Sequence, residues 1–339
     1  MQVQHYMKHC SGQIGPSFSQ IHIQRSRMSS QKVTTAIFPI AGMGTRFLPA
    51  TKSIPKEILT LVDKPLIQYA VEEAREAGIE DFIFVTSRGK GALEDFFDVN
   101  QTLERALRAA GKTELLATLE ATNIDSGHVT YVRQHEALGL GHAVWCARRL
   151  VGDEPFAVIL PDDMVVADKP CLAQMIAAHE EVGGSIIATM EVPAEKASSY
   201  GVLDIEERQG ALIRPRGIVE KPKAGTAPSN MAVIGRYILG PRVMQHLDRR
   251  TVGAGGEIQL TDAIAHELAT HPGSVHGFRF QGERFDCGSK AGFLQATVAL
   301  ALEREDLRGE FSTFLRAIAE QHGLGAPSAA PLRSVAAAS

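Results

Sequence analysis

The stretch Val33-Thr34-Thr35-Ala36-Ile37-Phe38-Pro39-Ile40 leads directly into Ala41-Gly42-Met43-Gly44-Thr45-Arg46. The chain then continues through Leu48-Pro49-Ala50-Thr51-Lys52 to Pro55-Lys56-Glu57. The β-branched apolar run predicts a buried strand. Behind it, Gly42 and Gly44 let backbone approach a ligand closely and free amide N–H groups to point at anionic oxygens. Arg46, Lys52 and Lys56 add three cations just beyond. A strand followed by glycine-rich backbone and cations is a site for phosphate. Two common phosphate motifs fail on it. The dinucleotide fingerprint needs a third glycine where this chain has Phe47, and the P-loop needs a Gly-Lys-Ser/Thr that does not follow Gly42. The one Gly-Lys-Thr, at Gly111-Lys112-Thr113, interrupts a helical pattern with no strand before it.

Outward from this loop the pattern alternates. Helical spacing covers residues 65–77, with Gly78 as the stop, and strand-like runs follow at 82–86, 129–132 and 156–160. Helical patterns at 92–97, 102–120 (broken at Gly111) and 141–150 lie between them. The run 156–160 is wholly apolar, as expected of a strand covered on both faces, and ends at Pro161-Asp162-Asp163. Strands alternating with helices at this spacing predict a doubly wound, mostly parallel α/β sheet. In such sheets ligands bind beyond the carboxyl ends of strands, where the glycine loop, Gln134 and Asp162 all fall. The second half keeps alternating but is richer in strands, at 185–192, 201–205, 213–220, 232–239 and 275–280. Helical patterns occupy 172–182, 241–247 and 258–270 there. Late apolar helices at 291–304 and 311–322 must pack on the sheet or on a second subunit, which makes a homodimer or homotetramer the expectation.

Composition narrows the class. At 339 residues the chain can bury a large core, and 44% hydrophobic with 22% charged residues is ordinary for a globular protein. A net charge of −4 gives no bulk attraction to nucleic acid or acidic membranes, so no nucleic-acid or membrane partner is expected. The apolar runs are far shorter than the ~20 residues of a membrane helix. The four cysteines form no C-x-x-C pair, which indicates neither a zinc site nor a disulfide framework and suits a reducing cytoplasm. Residues 1–31 lack Asp and Glu and have no signal-like apolar core; they read as a disordered extension upstream of the domain. A start at Met28 accounts for them better than a transit segment, since the basic, Ser-rich pattern is short and poorly amphipathic. Residues 324–339, mostly Ala, Pro and Ser, read as a disordered tail.

Several further residues carry candidate chemistry. Gln134 leaves a strand, and its amide can donate and accept at once, which suits a pyrimidine edge. Gly139 and Gly141 again permit close backbone approach at a helix start; a glycine-rich helix entry with a surface Gln is the plainer alternative. His142 is tempting as an acid or base, but a partly buried histidine at a helix start is the simpler reading. Asp162 could hold a hard divalent cation if a second carboxylate joins it; Asp286 is the candidate partner, and Asp163 is a weaker one that fits a helix start. Glu220 is a plausible acceptor for hydroxyls and Lys221 a point charge for a phosphate, with Pro222 ending their strand.

Taken together, G-x-G-T-R-x-L-P-x-T-K-x-x-P-K-E and these later elements resemble the sugar-1-phosphate nucleotidylyltransferases, and most closely the bacterial UTP–glucose-1-phosphate uridylyltransferases. The resemblance covers about residues 32–323, with Thr60 standing where a proline often follows. It implies a Rossmann-like, glycosyltransferase-A-like nucleotidyltransferase fold with a nucleotide half at about 32–165, a sugar-phosphate half at about 166–290 and C-terminal helices at 291–323. It implies nucleotide binding by Ala41, Gly42, Gly44, Thr45, Glu57, Gln134 and Gly141. Sugar-phosphate binding falls to Gly201, Glu220 and Lys221, Mg2+ to Asp162 and Asp286, and catalytic roles to Arg46, Lys56 and Lys221. Residues 257–262 resemble a capped helix that supports the site without touching it. The substrates implied are UTP and glucose 1-phosphate. The same chemistry with dTTP, or an inactive UDP-sugar-binding regulatory subunit, stays open at this point.

Overall fold

The computed structural model describes residues 32–324; the expectations for residues 1–31 and for the tail beyond Leu324 lie outside the described residues. Alternation begins at once. β1 (Thr35–Pro39) is followed by the short pair β2 (Thr60–Leu61) and β3 (Lys64–Pro65), α1 (Leu66–Glu76), β4 (Asp81–Thr86) and α2 (Gly91–Phe97). Then come α3 (Gln101–Ala109), α4 (Thr113–Glu120), β5 (Val129–Arg133), α5 (Leu140–Cys146), α6 (Arg148–Val151) and β6 (Phe156–Ile159). The later chain adds β7 (Asp163–Val166), α7 (Cys171–Val182), β8 (Ser185–Glu191), β9 (Gly201–Gln209), β10 (Leu212–Glu220) and β11 (Met231–Leu239). It closes with α8 (Pro241–Leu247), α9 (Leu260–Thr270), β12 (Val275–Arg279), β13 (Glu283–Asp286), α10 (Lys290–Glu303) and α11 (Glu305–Gln321).

Nine strands form one mixed sheet in the order β5-β4-β1-β6-β11-β8-β12-β10-β9. The first four are mutually parallel, so their carboxyl ends share one rim. β11 runs antiparallel to β6 and β8, and β10 antiparallel to β12 and β9. Among the described residues of the later chain, parallel pairing recurs only between β12 and β8. One face of the sheet is covered by α5, α8 and α9, through residues such as Val144, Val243 and Ile264. The other is covered by α1, α2 and α7, through Ile67, Leu93 and Leu172. This is the doubly wound arrangement, and β6 lies inside it with all four residues buried.

All nine residues of β11 are buried, Arg236 included. A guanidinium tolerates such burial only when its donors are matched. Glu73 on α1 takes Nε and Nη2 in a fork (3.1 and 2.8 Å), and Nη1 donates to the Leu160 carbonyl at 3.0 Å. This pair pins the helix layer to the strand that flanks the site. Arg236→Met leaves the Glu73 carboxylate buried without its partner and should cost about 3 kcal/mol, within the range for breaking buried pairs. Adding Glu73→Leu should recover most of that loss in thermal melts; a double variant no more stable than Arg236→Met would contradict the assignment.

Three expectations change. The helical pattern 141–150 divides into α5 and α6 at Ala147. The strand expected at 201–205 runs on to Gln209 as half of the long β9–β10 hairpin. Asp163 does not start a helix. It opens β7, which pairs antiparallel with β13 so that Asp163 faces Asp286. Asp286 thus ends a strand of its own, in a separate two-stranded ribbon packed on α10.

Candidate active site at the strand carboxyl rim

The glycine loop leaves β1 as expected, with a specific reason for its second glycine. Gly44 has φ +65°, and a Cβ there would lie 3.1 Å from both Lys56 Cβ and Thr51 Cγ2. The loop therefore folds against the Lys56 turn, and Thr51 Oγ1 donates to the Gly44 carbonyl at 2.8 Å. Nothing lies within 4 Å of a Cβ on Gly42, so this residue borders open space. Among the described residues no backbone carbonyl accepts from the amides of Gly42, Met43 or Gly44. Gly42 and Met43 are exposed, just before Thr45 and Arg46. The Ala41 carbonyl is held by Ser87 Oγ at 3.0 Å, which ties the loop to the end of β4.

The proposed metal carboxylates converge. A Cβ on Gly288 would sit 2.8 Å from Asp162 Oδ2, 3.0 Å from Asp286 Oδ1 and 3.5 Å from Arg46 Nη1. Only glycine leaves that space clear. Arg46 Nη1 donates to the Gly288 carbonyl at 3.3 Å, joining the glycine loop to the β13 turn. The donor set is oxygen only, and no cluster of three His, Cys, Asp or Glu is present among the described residues. Two carboxylates suit a small hard cation such as Mg2+, which takes oxygen ligands and completes its shell with water and substrate phosphate. Asp162 Oδ2 also accepts from Lys56 Nζ at 2.6 Å. Burial opposes the charge on Lys56, yet Asp162 and Glu57 outweigh it and raise its pKa, so the ammonium stays charged. Burial likewise opposes charge on Asp162, and Lys56 and Arg46 hold its pKa below the usual range. Asp163 is unsuited to the cation. Its carboxylate is buried, accepts the Gly235 N–H at 2.6 Å and is ion-paired with Arg284.

Two residues assigned to the nucleotide are held by protein partners. Glu57 is buried, and its carboxylate accepts from Lys90 Nζ at 2.7 Å. It latches the loop to the β4–α2 turn. Gly141 is also buried. Its N–H donates to the Ile258 carbonyl at 2.9 Å, and a Cβ would lie 2.7 Å from that oxygen. Close packing of α5 on the segment before α9 explains this glycine. Gln134 does lie at the end of β5, nearly buried, with its Nε2 donating to Gly139 O (3.1 Å) and His142 Nδ1 (3.0 Å). Burial holds the His142 pKa below its ordinary value, so the ring is neutral.

On the other side of the rim, Gly201 pairs with Glu220, and the hairpin returns so that Val202 meets Ala232 at the start of β11. A Cβ on Gly201 would lie 3.1 Å from Glu220 Oε2, so a larger residue there would crowd that carboxylate. Lys221 has φ +44°, a left-handed conformation rare for a long side chain. Its N–H donates to Tyr200 O at 3.0 Å, and its Nζ lies 3.3 Å from Glu220 Oε1, largely exposed. Arg284, which sequence reasoning missed, bridges β7 and the turn before β9: it pairs with Asp163 and donates through Nη1 to Tyr200 Oη at 3.1 Å. Ser87 and Lys90 were missed too, although both follow a strand at the rim where functional residues gather. The helix after residue 257 has no side-chain cap at its start; Gln259 donates instead to Ala254 O and Glu257.

A parallel half-sheet with free loop amides, cations and paired carboxylates on its carboxyl rim defines a nucleotidyltransferase-type α/β fold. Comparison with known proteins agrees. The family model described as nucleotidyl transferase matches residues 36–302. A UTP–glucose-1-phosphate uridylyltransferase of Komagataeibacter xylinus is 51% identical over 255 residues, covering 75% of this chain and 89% of that protein. The enzyme of the same name from Bacillus subtilis (strain 168) is 49% identical over 289 residues, covering 85% and 98%. Among solved structures, a UDP-glucose pyrophosphorylase complexed with UDP-glucose aligns with TM-score 0.73 at 43% identity, over 80% of this chain and 100% of that one. A UTP-bound enzyme from Acinetobacter baumannii aligns with TM-score 0.75 at 44% identity, over 84% and 99%. The chain belongs to the nucleotidyl transferase family, in the branch of the UTP–glucose-1-phosphate uridylyltransferases.

Proposed function

We propose that the chain transfers the uridylyl group of UTP to α-D-glucose 1-phosphate, forming UDP-glucose and releasing pyrophosphate. The observation that carries this reading is the convergence of Asp162, Asp286 and Arg46 on Gly288, directly beside free amides of the glycine loop. In-line attack of the sugar phosphate on the α-phosphorus needs positioning and charge neutralisation more than proton transfer. The amides of Gly42 and Gly44, with Thr45 and Arg46, hold the triphosphate and the leaving pyrophosphate. Lys56, kept charged by Asp162, adds a second cation facing that leaving group. Gln134 reads the base. Glu220 and the Gly201 backbone hold the hexose, and Lys221 orients the attacking phosphate. Mg2+ held by Asp162 and Asp286 would supply charge neutralisation between the two substrates.

The nucleotide half, about 32–165, and the sugar-phosphate half, about 166–290, are then joined by the Asp163–Arg284 ion pair. α11 has no buried residue, and Leu294 and Phe314 are exposed on the last two helices, which supports pairing with a second copy. Free thiols at Cys146, Cys171 and Cys287 fit a cytoplasmic setting. Among the described residues no helix is long and apolar enough to cross a membrane. The test is pyrophosphate release with UTP, dTTP, CTP and GTP crossed against glucose, galactose and mannose 1-phosphates, with and without Mg2+. Release should be greatest with UTP, glucose 1-phosphate and Mg2+. No release from that combination would refute the assignment.

A further inference from the structure

We propose that His142 is a positioning residue that sets base specificity by fixing which end of the Gln134 amide faces the nucleotide. This deepens the proposed function and rests on its reading of Gln134 as the base reader. An amide side chain can present either two donors or an acceptor, and the two faces select opposite bases. Here the choice is made by the protein. The Gly139 carbonyl can only accept, so the group 3.1 Å from it must be the Gln134 NH2. The second hydrogen of that NH2 points at His142 Nδ1, 3.0 Å away. That nitrogen must therefore be the unprotonated acceptor, with the ring proton on Nε2.

Both donors of Gln134 are thus used inside the protein, and Oε1 is the one group left over. No protein donor reaches Oε1, and it is not among the sealed, unpartnered polar atoms of this otherwise buried residue, so it stays reachable from outside. An acceptor there selects a base that offers a ring N–H. Uracil has one at N3; cytosine presents a lone pair at the same position and is repelled. Thymine shares the N–H, so this device separates UTP from CTP and leaves UTP and dTTP alike. His142 is itself held in place: it is buried, and its ring stacks on Trp145 with centroids 5.5 Å apart. Without the His142 acceptor, one of two restraints on the amide is gone. Rotation that turns NH2 toward the base then costs one hydrogen bond fewer.

The experiment is steady-state pyrophosphate release with UTP and with CTP at saturating glucose 1-phosphate. The proteins are the wild type, His142→Phe, His142→Leu, His142→Asn and Gln134→Leu. His142→Phe keeps an aromatic ring against Trp145 but removes the acceptor. The UTP-to-CTP ratio of kcat/KM should fall about tenfold, the worth of one such hydrogen bond. The fall should arise in KM for the nucleotide, with kcat at saturating UTP little changed. His142→Leu should match it and serves if the Phe variant does not fold. His142→Asn should restore the wild-type ratio, because Asn Oδ1 falls close to where Nδ1 was. An unchanged ratio in the folded Phe or Leu variant would overturn the proposal, as would an Asn variant no better than Phe. If Gln134→Leu leaves the ratio untouched, the base-reading role itself fails, and this inference with it.

Discussion

Asp162→Asn should lower pyrophosphate release by about 10³-fold, since removing one positioned stabiliser of transition-state charge typically costs that order. The substitution is nearly isosteric, and its amide oxygen can still accept from Lys56 Nζ, which lies 2.6 Å from the native carboxylate. The fold should therefore survive with a loss of about 1–2 kcal/mol, the value of weakening one charge-assisted hydrogen bond. Asp286→Asn should show a similar kinetic loss, because both carboxylates line the same space at Gly288. The adjacent Asp163→Asn should behave differently. Its carboxylate is matched to Arg284 and the Gly235 N–H in a buried setting, so the main effect there is on thermal stability. Activity, metal dependence and melting temperature measured on all three variants would separate these roles. Turnover in Asp162→Asn within tenfold of wild type at the same Mg2+ concentration would remove it from the reaction.

The contrast between those two neighbouring aspartates also shows how far sequence reading carries. β1, β4 and β6 were legible because each is an apolar run bounded by turn residues, and burial on both faces demands such a run; β5, a half-buried edge strand, showed through its β-branched and aromatic residues. Their parallel order then brought the glycine loop, Gln134 and Asp162 to one rim without any knowledge of side-chain contacts. β7 and β13 were not legible. Each is four residues long, too short for a period, and their pairing joins positions about 120 apart in the chain. Asp163 looked like a helix start because its real partner, Arg284, lies on that distant strand. The protein contacts of Glu57 and Gly141 were hidden for a related reason. The motif places them next to functional residues, while Lys90 and Ile258, which actually engage them, come from other parts of the chain. Sequence locates the rim; long-range contacts decide which of its residues face the ligand.

Lys221→Ala should lower kcat by about 10²–10³-fold while leaving UTP binding close to wild type, because a cation on the attacking phosphate acts after the nucleotide has bound. The alternative is that Lys221 is an exposed strand-end residue whose contact with Glu220 is incidental. Its side chain is 55% exposed and its Nζ lies 3.3 Å from Glu220 Oε1, and exposed pairs of this kind contribute about 0–1 kcal/mol to stability. Loss of that contact alone would change neither the melting temperature nor turnover appreciably. The backbone argues for the functional role. Lys221 is held at φ +44° by the bond from its N–H to Tyr200 O, a conformation that costs free energy and directs the side chain off the strand end. Tyr200 in turn is held by Arg284, so the Lys221 backbone is linked to the ribbon that carries Asp286. Lys221→Arg should recover little, since a guanidinium is longer and planar where the geometry is set for a compact ammonium. Titration of UTP binding beside single-turnover kinetics checks the claim. Lys221→Ala turning over within threefold of wild type, or losing UTP affinity in proportion to rate, would defeat it.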